Sequence, residues 1–216
     1  MKKKIKSEKK ISLFNSSGFT IEQALLAPGF LKEFERNFQF HTKHLKAAQK
    51  TLNKISRKMK NAKNPIWVGI HVRRTDYQIY EESLNFVPVK PSYYLQAMDT
   101  FRVFYPENTV IFVVITDDTS WCQKHVKKRS KDVWIASQNQ AEMYDGIGHD
   151  LAIMSKCNHS IISRGSFSYF SSILAGGATI LPCHFHEYKL KRENDNHICN
   201  RHPLENPLDK LYPIQN

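Results

Sequence analysis

The 216-residue sequence predicts an α/β domain, a Rossmann-like parallel sheet with helices on both faces. Three observations carry that expectation. Short apolar runs rich in β-branched residues recur without polar interruption, as strands covered on both faces do. Segments with helical spacing separate them, so successive strands are joined by β-α-β crossovers. The turns that follow three of the runs are polar, in the places where a doubly wound sheet gathers its ligand loops.

Taken in order, residues 1–40 read as a basic stub and linker, opening with MKKKIKSEKK. From 41 to 60, Leu45, Ala48, Leu52, Ile55 and Met59 recur at steps of three and four, one stripe of an amphipathic helix. Asn64-Pro65 breaks it, and IWVGIHV follows as a buried strand. PSYYLQAMDTFRVFY (91–105) has proline at its first turn and helical apolar spacing. TVIFVVIT (109–116) is the next strand. DDTSWCQKHVKKR opens on carboxylates and closes on cations, the polarity of a helix dipole. DVWIAS (132–137) reads as strand, HDLAIMSKC (149–157) as helix, HSIIS (159–163) as strand, SFSYFSSILAGG (166–177) as helix and TILP (179–182) as strand. The domain therefore spans 41–182, and 183–216 reads as a loop-like tail.

The formal charge of +12 fits an anionic partner: nucleic acid, a membrane surface or a nucleotide-linked substrate. Much of it sits in residues 1–10 and 43–63, which read as a frayed terminus and the solvated face of a helix, so no nucleic-acid partner is expected. No run approaches the ~18 apolar residues of a membrane span, and the amino terminus lacks the apolar core of a signal peptide. The chain as given thus reads as soluble. Cys122, Cys157, Cys183 and Cys199 form no CxxC pair and leave the compartment open. The sequons at Asn15 and Asn158 are candidate glycosylation sites if the chain enters a secretory lumen. CHFHEY (183–188) and HICNRH (197–202) pool cysteines and histidines, but their spacing matches no standard zinc site, and no metal is expected.

The three polar turns are HVRRTDY, TDDTSW and SRGSFSY. The first and third supply guanidiniums and small residues opening a helix, the parts of an anion site. The second supplies paired carboxylates, acceptors suited to a guanine edge or a ribose.

GIHVRRTDY (69–77), FVVITDDTSWC (112–122) and DLAIMSKCNHSIISRGSFSYFSSILAGG (150–177), with PVKPSYYLQAMDTFR (88–102), follow one another as in the α-1,2-fucosyltransferases, galactoside 2-alpha-L-fucosyltransferases of the glycosyltransferase family 11 type. The chain resembles that family over roughly residues 30–182. The resemblance implies the nucleotide-sugar-binding half of a GT-B-type enzyme, GDP-fucose as donor and a galactose-terminated glycan as acceptor. It further implies α-1,2 transfer with inversion and residence on the lumenal side of the Golgi membrane. The glycine-rich GNQ segment of that family has no match in residues 1–40. The chain therefore looks like the donor half with a stub of the other, and membrane association would need an anchor it does not carry. No DxD motif appears, so transfer without a metal cofactor is expected.

Within that resemblance, alternation along the strand puts His71 and Arg73 on one face and Arg74 on the other. Arg73 is expected on the diphosphate with His71 beside it; a satisfied core histidine is the plainer role for His71. Arg74 either contacts ligand or pairs with Asp76 or the sheet edge. Asp117 and Asp118 supply one N-cap and one carboxylate free for the nucleotide. Ser163, Gly165, Ser166 and Ser168 can hold phosphate, or Ser166 simply caps its helix. Asp76 is the one carboxylate in the motif turn able to serve as base, unless the base belongs to the other half. Two other classes remain open: a non-catalytic GDP-sugar-binding remnant or interaction module, and a basic nucleic-acid-binding protein.

Overall fold

A computed structural model describes residues 36–83, 88–128, 130–137 and 143–182, and the backbone of 198–201 and 212–213. The chain divides into two units at Gln39/Phe40, and all that follows concerns residues 40–216. Helix α1, Thr42–Lys58, leads into strand β1, Ile66–Val72. After it come α2, Thr75–Ser83, α3, Pro91–Phe104, and β2, Val110–Thr116. Helix α4, Thr119–Cys122, runs on as a π-turn over Gln123–Lys127, and β3 is Val133–Ile135. Then follow α5, Met143–Met154, β4, His159–Ile162, α6, Ser166–Ala175, and β5, Thr179–Pro182. Two short strands, β6, Ile198–Arg201, and β7, Tyr212–Pro213, close the order.

The sheet runs β3-β2-β1-β4-β5-β6-β7, with the first five strands parallel. The order 3-2-1-4-5 is that of a nucleotide-binding doubly wound sheet, whose strand order reverses between β1 and β4. β1 is paired on both sides, Ile70 against Val114 and Ile161, so its residues need apolar cover above and below.

Two cores supply that cover. On one face Val68, Ile70, Val72, Phe112 and Val114 pack against Tyr93, Tyr94, Met98 and Phe101 of α3 and Cys122 of α4. On the other, Ile111, Val113 and Ile115 pack against Ala48, Leu52 and Ile55 of α1 and Ala152, Ile153 and Met154 of α5. Gly69 faces this second layer, where an added Cβ would lie 2.6 Å from the Met154 sulfur, so the close passage of α5 over β1 requires glycine.

Three sequence expectations are corrected. The tail is not all loop: β6 pairs antiparallel with β5, Leu181 opposite Cys199, and β7 pairs antiparallel with β6. These strands satisfy backbone groups that an edge at β5 would leave open. Residues after Arg74 form α2 rather than a turn. Helix α5 begins at Met143, ahead of His149. Cys183, the histidines at 184, 186, 197 and 202, and Asn15 lie outside the described residues.

Candidate functional site

The site is built where β1 ends. Strand pairing continues as far as the Ser163 N–H, which donates to the His71 carbonyl at 3.0 Å. Beyond Val72 the backbone passes from strand partners to side chains. The Arg73 N–H donates to Ser163 Oγ at 3.1 Å, and the Arg74 N–H donates to Asp117 Oδ1 at 2.9 Å. The turns after β1, β2 and β4 are thus fastened together at the carboxyl ends of the strands, beside the point where strand order reverses.

Because β1 ends at Val72, the period-2 alternation expected through Arg73 does not decide where the two arginines point. Arg73, with 39% of its side chain exposed, donates to Asp76 Oδ1 at 2.7 Å and lies 3.1 Å from Asp117 Oδ2. Arg74, 16% exposed, is the enclosed one. Its guanidinium lies 3.8 Å over the Trp121 ring, with Nε 3.6 Å from Asp118 and Nη2 donating to Gln78 at 3.3 Å. Of the alternatives for Arg74, the pair with Asp76 does not form: Asp76 pairs with Arg73, three residues before it at the start of α2, and Arg74 faces Asp118.

The acidic turn is corrected as well. Asp118 caps α4 by accepting from the Trp121 N–H at 2.9 Å. Asp117 is not free: beyond the Arg74 N–H and Arg73 it accepts from the Thr75 hydroxyl at 2.5 Å. It is the post between the first and second turns.

His71 is buried, and its Nδ1 lies 2.6 Å from Ser168 Oγ in α6, with Phe167 against its ring. The Ser168 hydroxyl also lies 3.2 Å from the Arg164 carbonyl and 3.2 Å from Ser163 Oγ; in the tautomer with the proton on Nδ1 it accepts from His71 and Nε2 is the acceptor. Burial, with the Arg73 charge adding to it, holds the imidazole pKa down to about 3, so His71 is neutral. Ser163 is buried and tied to Arg73 and Ser168. Gly165, at φ +106°, is the N-cap of α6, and Ser166 is its first residue rather than its cap. Gly165 has no side chain to cap this helix, so the amides of its first turn receive no bond from an N-cap side chain. Asn158 is exposed, but its Oδ1 accepts from the Trp67 N–H at 2.8 Å.

Sequence reasoning missed three supports. Trp121 carries Arg74, and the Gln78 side-chain oxygen accepts from its guanidinium. Glu81, buried, accepts from buried Arg164 Nη1 at 3.0 Å and ties α2 to the turn after β4. The signal in the sequence was weak, because α2 exposes Ile79 and Tyr80 and buries a glutamate, inverting the usual amphipathic pattern. Among the described residues no helix is long and apolar enough to cross a membrane, and no three His, Cys, Asp or Glu side chains group as metal ligands would.

Comparison with known proteins gives this arrangement its relatives. The chain is 29% identical over 154 residues to galactoside 2-alpha-L-fucosyltransferase SEC1 of Bos taurus, covering 71% of this chain and 40% of that protein. It is 30% identical over 155 residues to galactoside alpha-(1,2)-fucosyltransferase 1 of Homo sapiens, covering 71% and 41%. The chain thus spans about two fifths of the length of these curated relatives. A solved structure of NodZ alpha-1,6-fucosyltransferase, soaked with GDP-fucose, aligns with a TM-score of 0.41 and 17% identity over 77% of this chain and 48% of that one. The sequence model of Glycosyl transferase family 11 matches residues 7–201, a span that takes in the arginine turn, the acidic turn and the glycine-serine turn together, and the chain belongs to that family.

Proposed function

We propose that the chain binds GDP-fucose at the carboxyl ends of β1 and β4 and forms the donor side of an inverting transfer of L-fucose to a galactoside hydroxyl in α-1,2 linkage. The observation that carries this is the pair Arg73 and Arg74 beside the uncapped start of α6, with Ser163 and Asp117 fastening the three turns together. Arg73 is the reachable cation. Its present partners are two carboxylates, whose oxygens a diphosphate can replace with the same fork geometry. Arg74, held by Trp121, adds charge from behind. Charge growing on the departing GDP is met by these guanidiniums and by the first-turn amides of α6, and no metal is part of the proposed step.

Neutral His71 offers Nε2 as an acceptor to a donor or acceptor hydroxyl, and its low pKa keeps it from competing as a cation. Asp76, 73% exposed, is the carboxylate of the motif turn that an acceptor hydroxyl can reach, and we assign it the base role. Lumenal Golgi residence goes with the same reading. The test is a transfer assay with GDP-fucose and a β-galactoside, the linkage checked by an α-1,2-specific fucosidase. Thermal melts with GDP, UDP and ADP run beside it. Fucosylated product and protection by GDP above the other two are expected.

A second reading follows from the chain spanning two fifths of its relatives: a GDP-sugar-binding module without turnover. Protection by GDP with no product would select it. Equal protection by all three nucleotides would remove the guanine assignment from both readings.

A further inference from the structure

One strongly charged face of the described surface plays no part in the donor site. The apolar stripe of α1 is buried against β2 and α5, which leaves the opposite side in solvent. Lys46, Lys50, Lys54 and Arg57 stand on it at steps of four, four and three, all exposed. Lys58 and Lys60 continue it past the end of the helix. Residues 40–63 hold eight lysines and arginines and no aspartate or glutamate. Like charges at this spacing weaken a helix rather than support it, which a merely solvating face would not need.

The face also extends beyond α1. Lys58 Nζ lies 5.4 Å and Lys127 Nζ 5.0 Å from the centre of the same Trp134 ring, so the basic end of α1 adjoins the basic π-turn after α4. Lys124 and Lys128 are exposed there, and Lys131 follows. From Lys46 to Lys58 alone the charge runs for about 18 Å along the helix.

We propose that this surface adsorbs the chain onto an anionic lipid bilayer. The cations are nearly all lysines, compact charges on flexible stems that suit a diffuse plane of headgroups more than the fixed forks of a polynucleotide backbone. The exposed residues between the α1 cations, Gln49, Asn53 and Ser56, include no aromatic ring, and the ring at the far end of the face, Trp134, is half-buried and already covered by Lys58 and Lys127. The apolar side of α1 is committed to the core, so the contact is electrostatic adsorption without insertion. The proposal does not depend on the donor reading, and it puts contact with a leaflet that carries anionic lipid in place of lumenal residence.

The experiment is co-sedimentation of the full chain with phosphatidylcholine vesicles, with and without phosphatidylserine, at low and raised salt, against single-stranded RNA as competitor. Binding to the phosphatidylserine vesicles, loss at raised salt and no binding to neutral vesicles are expected. In K46E/K50E/K54E, partitioning should fall on the order of a hundredfold or more, with the melting temperature held because all three side chains are exposed. K46Q/K50Q/K54Q replaces it if charge reversal impairs folding. Unchanged partitioning of the variant, equal binding to neutral vesicles, or displacement from anionic vesicles by RNA would overturn the assignment.

Discussion

Replacing each arginine of the motif turn by alanine should separate its structural from its ligand-binding work. Arg74→Ala removes a guanidinium stacked 3.8 Å over Trp121 and enclosed by Asp118 and Gln78. A desolvated cation-π contact contributes about 2 kcal/mol, and the longer contacts with Asp118 and Gln78 add a fraction more. Arg73→Ala removes two pairs that are partly in water, and Asp117 keeps the Arg74 N–H and the Thr75 hydroxyl. Solvent screening limits that loss to about 0.5–1 kcal/mol. At about 2–4 °C per kcal/mol for a chain of this size, the empty Arg74→Ala protein should melt roughly 4–10 °C lower and Arg73→Ala only about 1–4 °C lower. Addition of GDP should reverse the ranking. Arg73 is the exposed guanidinium, so its loss should remove most of the GDP-induced rise, by about 1.5–3 kcal/mol for a charge-assisted bond. Differential scanning fluorimetry of both variants with and without GDP reads all four values. The reasoning fails if Arg73→Ala is the less stable protein when empty, or if it keeps the full GDP shift while Arg74→Ala loses it.

Glu81→Gln should lower stability by about 3–5 kcal/mol in a denaturant titration, because it leaves the buried Arg164 charge without its carboxylate; a loss under 1 kcal/mol would show the pair to be dispensable. His71 is neutral in the fold with a pKa of about 3, against about 6.5 in the unfolded chain, so between those values the unfolded state binds the extra proton. Stability should therefore fall as pH drops below about 6.5 toward 3, and His71→Asn should flatten that part of the melting profile. Gly69→Ala should cost about 1–3 kcal/mol, as the new methyl presses on Met154, with Gly69→Val worse; equal melts for all three would mean that α5 yields freely. Gly165→Ala forces a side chain to φ +106° and toward the Tyr77 hydroxyl, and should destabilise by about 1–3 kcal/mol; Gly176→Ala carries backbone strain too, at φ +75°, but meets open space away from the three turns and should weaken GDP protection less.

Much of the architecture was legible because burial leaves a periodic trace. IWVGIHV and TVIFVVIT are almost wholly apolar, save His71 and the terminal threonines, because β1 and β2 are covered on both faces, and the stripe from Leu45 to Met59 is spaced as it is because one side of α1 meets the core. The order of these elements also placed the three polar turns at one end of a parallel sheet, so the neighbourhood of Arg73, Asp117 and Ser163 was readable from pattern alone. Their partners were not. Periodicity records which side of an element faces apolar surroundings, but it stops where the regular backbone stops, and β1 stops at Val72, one residue before the first arginine. Whether Arg73 or Arg74 is enclosed was decided by Trp121, nearly fifty residues on and brought close by the pairing of β1 with β2. Helix α2 hid for a related reason: its buried residue is Glu81, which is paired by Arg164 arriving from 83 positions away. The strands within 183–216 were equally silent, since an edge pairing draws on backbone groups that every residue carries, and only the open flank of β5 selects which segment supplies them.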